Sequence, residues 1–359
     1  LGIPQHVMTT RRFYYWIPAE GAPVKVVHAI EAHVLDAMPG EKKIYASWQS
    51  LEKEIAHILQ RAKKVAMEYS PRNAIPYVSL VDGGTIDLIR SFGIEVVSSA
   101  DFLPNFTACL TESQMESHSR ASHAVDKIVA GAWDWIREHL ASGKSVTEYD
   151  VQQKIAADFI KLQMLADHDP IVGVNAHSAD PHYEPLKEGS SPIRKGDFIL
   201  IDLWAKENKE KAVYADITRV GVAASHPSPK QQEVFSIVRK AQKAAIHLVQ
   251  TRFAQKKQIE GWEVDEATRS VIRNAGYGKY FTHRTGHSIE ISLHGSGAHM
   301  DNLEMHDVRP ILPGTCFSVE PGIYLPGEFG VRLEIDILIH KDGRVQVTGG
   351  EQDAIICLF

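Results

Sequence analysis

The chain has 359 residues, of which 44% are hydrophobic and 23% are charged, and its formal net charge is −6. This composition is typical of a globular protein, and the length favours two domains. The acidic balance and the lack of a basic run argue against nucleic-acid binding, and no apolar stretch approaches the roughly 20 residues that cross a bilayer. The three cysteines, Cys109, Cys316 and Cys357, are unpatterned and fit free thiols in a reducing cytoplasm.

The start of the chain carries no recognisable targeting segment. Its first residues, LGIPQHVMTTRRFYYW, show no signal peptide and no initiating Met, so we expect the natural start to lie upstream.

Residues 1 to about 112 are predicted to form a small α/β domain, because helical and strand-like patterns alternate there. Gly83-Gly84 precedes a helix, but two glycines are a weak phosphate-binding signal, and this part shows no catalytic constellation. The predicted elements are a hairpin, a helix, a strand, a helix ending at Gly93 and a strand, over residues 12–27, 51–59, 65–69, 85–92 and 94–97.

The pattern changes near residue 113, where a second domain is predicted to begin and to extend to residue 359. It reads as two helices followed by strands, and then again as two helices followed by strands, which indicates a duplicated α+β plan. Thr147 and Ser228-Pro229 are predicted helix starts. The predicted segments are helices over 121–140 and 147–159, a loop over 167–196, a hairpin over 198–220, helices from 229 and 263, and strands and loops from 280.

Two acids lie in the predicted hairpin FILIDLWAKENKEKAVYADITRV. Asp202 ends an apolar run on one strand, and Asp216 lies on the returning strand. A buried unpaired carboxylate costs several kcal/mol, so two facing acids require a shared cation. Arg219 could be that cation, which would make the stretch a salt-bridged hairpin, and a bound metal ion is the other interpretation.

Three later segments supply more residues of metal-ligand type. They are HRTGH over 283–287 with His294 nearby, VEPGIY over 319–324, and VRLEID over 331–336. If the last segment is one strand, Arg332, Glu334 and Asp336 share a face. Each of these residues also has an interpretation that involves no metal. A single His is more often structural, Glu320 could orient a turn, and Glu334 could pair with Arg332 or Arg219.

Together these residues offer two Asp, two Glu and one His. This ligand set suits Mn²⁺, Zn²⁺, Co²⁺ or Fe²⁺, and it suits two ions better than one. Four carboxylates that converge without a cation would repel one another and raise one another's pKa values, whereas two divalent ions would balance their charge.

The order Asp202, Asp216, His287, Glu320, Glu334 resembles the ligand signature of the pita-bread metallopeptidases, which include methionine aminopeptidase, aminopeptidase P and prolidase. The flanking motifs DITR, HRTGH, VEPGIY and VRLE are similar to the aminopeptidase P and prolidase branch. The resemblance covers residues 113–359 and implies a pita-bread catalytic domain of the creatinase/aminopeptidase type. It also implies a creatinase-type α/β domain over residues 1–112, shortened at its start.

The resemblance implies a role for each matching residue. Asp202 and Asp216 would hold one ion, and Asp216, His287, Glu320 and Glu334 the other, with Mn²⁺ the expected metal. Glu320 would also accept a proton from the attacking water. The remaining predicted site residues are His294 at the substrate carbonyl, His283 and His182 lining the pocket, and Arg332 beside a ligand or the substrate; His177 has no matching role.

The activity that the resemblance implies is hydrolysis of Xaa-Pro peptide bonds by a metal-bridging hydroxide. The substrate would be a peptide with proline at its second position, and the protein a cytoplasmic homodimer. One alternative is a non-catalytic peptide- or protein-binding member of the same fold, and another is a metal-free creatine amidinohydrolase; the retained ligands argue against both. The choice between dipeptidase and aminopeptidase stays open.

Two departures from the family pattern concern the hairpin. Trp204 stands where the family usually has Gly, and the connection between Asp202 and Asp216 is longer, with the excess in KENKEK. Because insertions at hairpin tips are well tolerated, we expect the ligands to stay in place. Trp204 could either narrow the pocket or pack outside it.

Overall fold

The computed structural model describes residues 8–359, which divide into two compact units. The first unit comprises the residues up to Tyr69 together with Leu80–Ser98, and the second comprises Ser70–Ser79 and Ser99–Phe359. Two parts of the predicted N-terminal domain, residues 70–79 and 99–112, therefore pack with the second unit, while a domain boundary near residue 112 stays a prediction. The expectations for the start of the chain fall partly on residues 1–7, outside the described residues.

The first unit contains a three-stranded sheet in the order β1-β2-β3 and a parallel pair, β4 with β5. The predicted hairpin, helices and strands are present. The additional strand β3 was not predicted, because its charged sequence, EKKIY, obscures the alternation of apolar and polar residues that indicates a strand. In chain order the elements are β1 (Tyr14–Trp16), β2 (Val24–His28), β3 (Glu41–Tyr45), α1 (Trp48–Leu59), β4 (Lys64–Met67), α2 (Gly83–Ser91) and β5 (Glu95–Ser98).

The second unit begins with helices and then alternates hairpins with helices. Its helices are α3 (Pro104–Thr107), α4 (Glu112–Ala141), α5 (Glu148–Lys161), α6 (Pro229–Ala254) and α7 (Gly261–Asn274). Its strands are β6 (Met164–Leu165), β7 (Ile171–Val174), β8 (Phe198–Glu207), β9 (Ala215–Val222), β10 (Ser288–Ile289), β11 (Cys316–Val319), β12 (Gly322–Leu325), β13 (Phe329–Arg332), β14 (Ile335–Ile339), β15 (Val345–Thr348) and β16 (Ile356–Cys357).

The helix starts follow from local side-chain capping. Thr147 accepts a hydrogen bond from the Asp150 backbone N–H, and the Asp150 side chain accepts one from the backbone N–H of Thr147. Ser228 caps α6 in the same way with Pro229 at the first helical position. Both reciprocal caps satisfy donors that the first helical turn leaves free, so the predicted starts at these residues are confirmed.

Two sheets of the second unit are each covered by a long helix. One has the order β16-β9-β8-β6 with β7 also paired to β8, and the other has the order β10-β11-β14-β15. Val125 and Trp133 of α4 share a buried core with β8 and β9. Ala245 and Val249 of α6 share another core with β11 and β14. The predicted repetition of helices and strands therefore corresponds to two helix-covered sheets.

Two sequence predictions in this unit are wrong. The predicted loop over 167–196 contains β7, which pairs with β8 and places Ile171 opposite Asp202. The segment 331–336 is also not one strand, because the chain changes partners between β13 and β14. Leu333 N–H donates to Pro321 O and Glu334 N–H to Thr218 O, so Arg332 and Asp336 belong to different sheets and do not share a face.

No helix within residues 8–359 combines the length and apolar character that crossing a membrane requires.

Candidate metal centre and active site

The β8–β9 hairpin carries both acids on one face. In the antiparallel register Asp202 lies opposite Thr218, and Trp204 lies opposite Asp216. Directly opposed residues project to the same side of a sheet, and so do residues two apart on one strand. Asp202 and Asp216 are both buried, at 6% and 4% exposure.

Arg219 does not pair these two acids, so that interpretation is wrong. It alternates to the other face of β9, where its guanidinium donates to the carbonyl oxygens of Glu334, Gly349 and Gly350.

Three predicted ligands form a compact cluster. Asp216, His287 and Glu334 each offer a ligand atom, and these atoms all lie within 4.8 Å of one another. His287 Nε2 is 3.5 Å from Asp216 Oδ2, and Thr218 Oγ1 donates to Glu334 Oε2 at 2.7 Å. Gly286 lets the His287 segment approach β11, since a Cβ there would lie 1.9 Å from the Ser318 carbonyl oxygen.

Glu320 and Asp202 complete the set of five around this cluster. Glu320 follows β11, and its Oε1 lies 3.6 Å from His287 Nε2 and accepts a hydrogen bond from Ser318 Oγ at 3.0 Å. Asp202 Oδ2 is bound by Arg332 Nη2. All five predicted ligands line one cleft with a volume of about 700 Å³.

The chemistry of the cluster fits divalent cations. Oδ1 of Asp202 and Oδ1 of Asp216 are buried without a hydrogen-bond partner in the described part of the chain. Burial raises the pKa of Asp216 and Glu334 well above their ordinary values, and neighbouring carboxylates raise them further. Burial also raises the pKa of Glu320 to about 7. Acids this close are stable as carboxylates when cations share their charge, and oxygen-rich sets with one imidazole are typical ligands for Mn²⁺ or Zn²⁺.

The three predicted pocket histidines all line the same cleft. His283 Nε2 is 2.7 Å from the Tyr324 hydroxyl and its Nδ1 is 2.6 Å from the Arg284 carbonyl oxygen. Burial, together with the Arg332 guanidinium, lowers the pKa of His283 to about 3, so its ring is neutral. The His294 ring stands edge-on to that of His287, 4.3 Å away, and His182 is exposed at the rim.

His177, for which the resemblance implied no role, belongs to a separate cluster. Its Nδ1 is 2.9 Å from Oε1 of the fully buried Glu148, and its ring stacks on Tyr183.

Arg332 lies in the wall of the cleft with its guanidinium bound by protein groups. It donates to Thr218 Oγ1, to the carbonyl oxygen of Pro181, to the Tyr324 hydroxyl and to Asp202. Since each guanidinium nitrogen already has a partner, Arg332 orients Asp202 and the loop that precedes His182.

Several polar or charged residues that line the cleft were not assigned to the site by the sequence interpretation. Among them are Tyr77, Asp167, Arg284 and Glu304. Arg284 lies inside the HRTGH motif, and its position close to His287 in the sequence could have indicated that it belongs to the site. Tyr77 lies in the 3₁₀ turn Pro76–Val78, far away in sequence, and no pattern in that Pro-containing loop indicated it.

Trp204, the departure from the family pattern, also lines the cleft. Its Nε1 donates to Asp167 Oδ1 at 2.8 Å, and its side chain is 9% exposed. The sequence allowed Trp204 either to narrow the pocket or to pack outside it, and in the structure the indole narrows the pocket.

Comparisons with known proteins agree with this arrangement. The model of metallopeptidase family M24 matches residues 116–341. The putative dipeptidase YkvY of Bacillus subtilis is 30% identical over 294 residues, which cover 79% of this chain and 74% of that protein. The Xaa-Pro dipeptidase of Lactobacillus delbrueckii subsp. lactis is 30% identical over 246 residues, which cover 68% of this chain and 61% of that protein.

The fold is shared with solved structures at lower identity. The crystal structure of dipeptidase PepE from Mycobacterium ulcerans aligns with a TM-score of 0.70 at 24% identity, covering 96% of this chain and 86% of that one. The expected fold class, an N-terminal α/β domain followed by a pita-bread domain, is confirmed. The family match spans most of the second unit, and the five predicted ligands line one cleft. The chain therefore belongs to metallopeptidase family M24.

Proposed function

We propose that the chain is a dinuclear metallopeptidase that hydrolyses Xaa-Pro bonds, as an aminopeptidase P or a prolidase does. The observation that carries the proposal is the convergence of four carboxylates and one imidazole on one cleft, where Oδ1 of Asp202 and Oδ1 of Asp216 are buried and lack a donor within residues 8–359. The motifs around the ligands and the relatives named Xaa-Pro dipeptidase support the preference for proline. The retained ligand set argues against a non-catalytic binding protein.

In this proposal Asp202, Asp216, His287, Glu320 and Glu334 hold two divalent ions, with Mn²⁺ the expected metal. Such ions supply an activated water and a Lewis acid for the peptide carbonyl. Glu320, whose Oε1 is held by Ser318, accepts the proton of the attacking water and passes it to the leaving prolyl nitrogen.

The histidines of the cleft act on the substrate. His294, which stands against His287, donates a hydrogen bond to the carbonyl oxygen as negative charge develops there. His283 is held neutral and oriented by Tyr324, and together with His182 it lines the substrate path. The proposal also includes a homodimer and a cytoplasmic location, which rest on the family resemblance and on the three free cysteines. Light scattering and fractionation test these two features.

Metal removal and substrate comparison test the activity. We expect chelation to abolish hydrolysis of Ala-Pro and Ala-Pro-Ala, Mn²⁺ to restore it, and Ala-Ala to be cleaved more slowly. Glu320→Gln is expected to lower kcat roughly 10²- to 10⁴-fold, with metal content measured in parallel. Glu328→Gln, at an exposed position, is the matched control. Full activity of chelated protein would contradict the metal dependence, and equal cleavage of Ala-Pro and Ala-Ala would contradict the proline preference.

A further inference from the structure

Glu148 is a fully buried acid outside the candidate metal centre. It is the first residue of α5, where the helix dipole favours a negative charge, and its exposed fraction is 0%. Its carboxylate accepts hydrogen bonds from the backbone N–H groups of Val174 and Ser191, at 2.7 and 2.8 Å, and from the Tyr183 hydroxyl at 2.8 Å. Nδ1 of His177 lies 2.9 Å from the same carboxylate. A buried charge is costly unless it is paired or hydrogen-bonded, so this set of partners is what permits the burial of Glu148.

The partners of Glu148 all come from one segment, residues 174–191, which also carries His182. The bonds therefore hold the beginning, the middle and the end of that segment to a single carboxylate. The ring of His177 stacks on that of Tyr183, with 4.2 Å between centres and 25° between planes. Burial and the bond to Glu148 raise the pKa of Tyr183 above its ordinary value, so its hydroxyl keeps the proton that it donates.

His182 lies between two anchored residues of this segment. On one side the carbonyl oxygen of Pro181 accepts a hydrogen bond from Arg332 Nη1 at 3.2 Å, and on the other side the Tyr183 hydroxyl is bound by Glu148. Within residues 8–359, the exposed imidazole of His182 has no hydrogen-bond partner of its own. Its place at the edge of the cleft is therefore set by where the backbone on either side of it is held.

The two anchors differ in their relation to the candidate metal centre. Arg332 also binds Asp202, so a change there would disturb a predicted ligand together with the loop. Glu148 and Tyr183 bond to none of the five predicted ligands in the described part of the chain. They can therefore be altered while the ligand set stays intact.

We propose that Glu148 and Tyr183 are positioning residues that act on the substrate through His182. The buried carboxylate holds the phenol, and the phenol fixes the backbone beside His182 so that the imidazole faces the bound peptide. The inference rests on the proposed peptidase function, in which His182 lines the substrate path. It predicts that loss of the Tyr183 hydroxyl weakens substrate binding and leaves metal binding unchanged.

A double-mutant cycle tests whether Tyr183 acts through His182. With Mn²⁺ bound, Tyr183→Phe is expected to raise KM for Ala-Pro roughly 3- to 10-fold, the range of one hydrogen bond, with kcat and metal content close to wild type. In the His182→Ala background the same change is expected to add no further rise. A rise of equal size in both backgrounds would overturn the proposal, because Tyr183 would then act without His182. An unchanged KM in Tyr183→Phe would overturn it as well.

Two further variants complete the comparison. Tyr149→Phe, next to Glu148 on α5, removes a hydroxyl that has no partner among the described residues, and it should keep the wild-type KM in both backgrounds. Glu148→Gln should raise KM at least as much as Tyr183→Phe, and KM is independent of the amount of folded enzyme. If Glu148→Gln does not fold, Tyr183→Phe decides the outcome, because it leaves the carboxylate in place.

Histidine NMR separates this inference from the proposed function. In Zn²⁺-loaded protein with ¹³C-labelled histidine, the His182 resonance is the one that disappears in His182→Ala. We expect Tyr183→Phe to shift or broaden this resonance and Tyr149→Phe to leave it unchanged. If wild-type protein with metal cleaves none of the Xaa-Pro peptides, the proposed function fails, and the NMR comparison still tests the anchoring. Identical His182 resonances in wild type and Tyr183→Phe would refute the anchoring.

Discussion

At the scale of single residues, three of the four acids of the candidate centre each accept a side-chain hydrogen bond at one oxygen. Arg332 binds Asp202, Thr218 binds Glu334, and Ser318 binds Glu320. This arrangement fixes the direction of these three carboxylates, while Oδ1 of Asp202 is buried and has no donor among the described residues. Preorganised carboxylates with a free oxygen are what a metal site requires, because the second-shell donors orient the ligands in advance.

His118 provides the clearest pH dependence outside the ligand set. It is fully buried behind the hairpin, with Nδ1 2.7 Å from the Tyr214 carbonyl oxygen and Nε2 2.8 Å from Thr348 Oγ1. Burial lowers the pKa of His118 to about 4. The unfolded chain, with an ordinary histidine pKa of about 6.5, then binds more protons than the folded chain as the pH falls.

We therefore predict that His118 contributes stability that is fully present above about pH 6.5 and declines as the pH falls toward 4. The loss amounts to about 3 kcal/mol over that window. Urea unfolding of wild type and His118→Gln between pH 7.5 and 4 measures this loss, and the variant is expected to show a shallower pH slope. His123→Gln, on the exposed side of α4, should keep the wild-type slope. Parallel slopes for wild type and His118→Gln would contradict the prediction.

At the scale of elements, the β8–β9 hairpin both presents the ligands and shapes the cleft. Its register sets Trp204 opposite Asp216, so the indole lies beside the centre and bonds to Asp167. The excess length of the connection lies in the turn after Glu207 and leaves the register of the two acids intact.

We predict that Trp204→Ala enlarges the substrate site. The ratio of kcat/KM for Phe-Pro over Ala-Pro should rise, because the space of the indole becomes available to a bulky first side chain. The same change should lower the free energy of unfolding by about 3–5 kcal/mol, the usual cost of removing a packed Trp. Trp204→Phe is the control, since it keeps most of the volume and loses the bond to Asp167, at a cost of about 1 kcal/mol. An unchanged substrate ratio in Trp204→Ala would mean that the indole does not bound the site.

At the scale of the whole molecule, the candidate centre joins the two helix-covered sheets of the second unit. Asp202 and Asp216 come from the sheet under α4, His287 and Glu320 flank strands of the sheet under α6, and Glu334 follows the β12–β13 hairpin. A cation bound by all of them links segments that are up to 132 residues apart in the chain, from 202 to 334.

Metal binding is therefore predicted to stabilise the folded chain as a whole. Mn²⁺ at about 100 times its dissociation constant adds about 3 kcal/mol, which raises Tm of a chain of this length by about 4 °C. Asp216→Asn should lose this response, whereas its metal-free stability should not fall, because one of several repelling acids is removed. Asp342→Asn, in an exposed turn, should respond like wild type. Thermal unfolding with and without Mn²⁺ measures the rise in Tm. A rise in Asp216→Asn equal to that of wild type would contradict the assignment of Asp216 as a ligand.

Much of the local structure could be predicted from the sequence because its causes are local. Reciprocal caps at Thr147 and Ser228 mark helix starts, and apolar runs interrupted by single acids mark strands that present ligands. The family motifs around Asp216, His287, Glu320 and Glu334 predicted the residues that line the cleft. These signals lie within a few positions of the residues that they describe.

The tertiary structure alone decided which charges meet. From the sequence, Arg219 was a candidate partner of the hairpin acids, and Arg332 was a candidate partner of Glu334. The sheet register directs Arg219 to the far side, while the partner change after β13 turns Arg332 toward Asp202. The approach of Tyr77 to Arg284, across 207 positions, was likewise invisible in the pattern. Periodicity and caps are set by neighbouring residues, whereas the compensation of a buried charge depends on which distant segments pack against it.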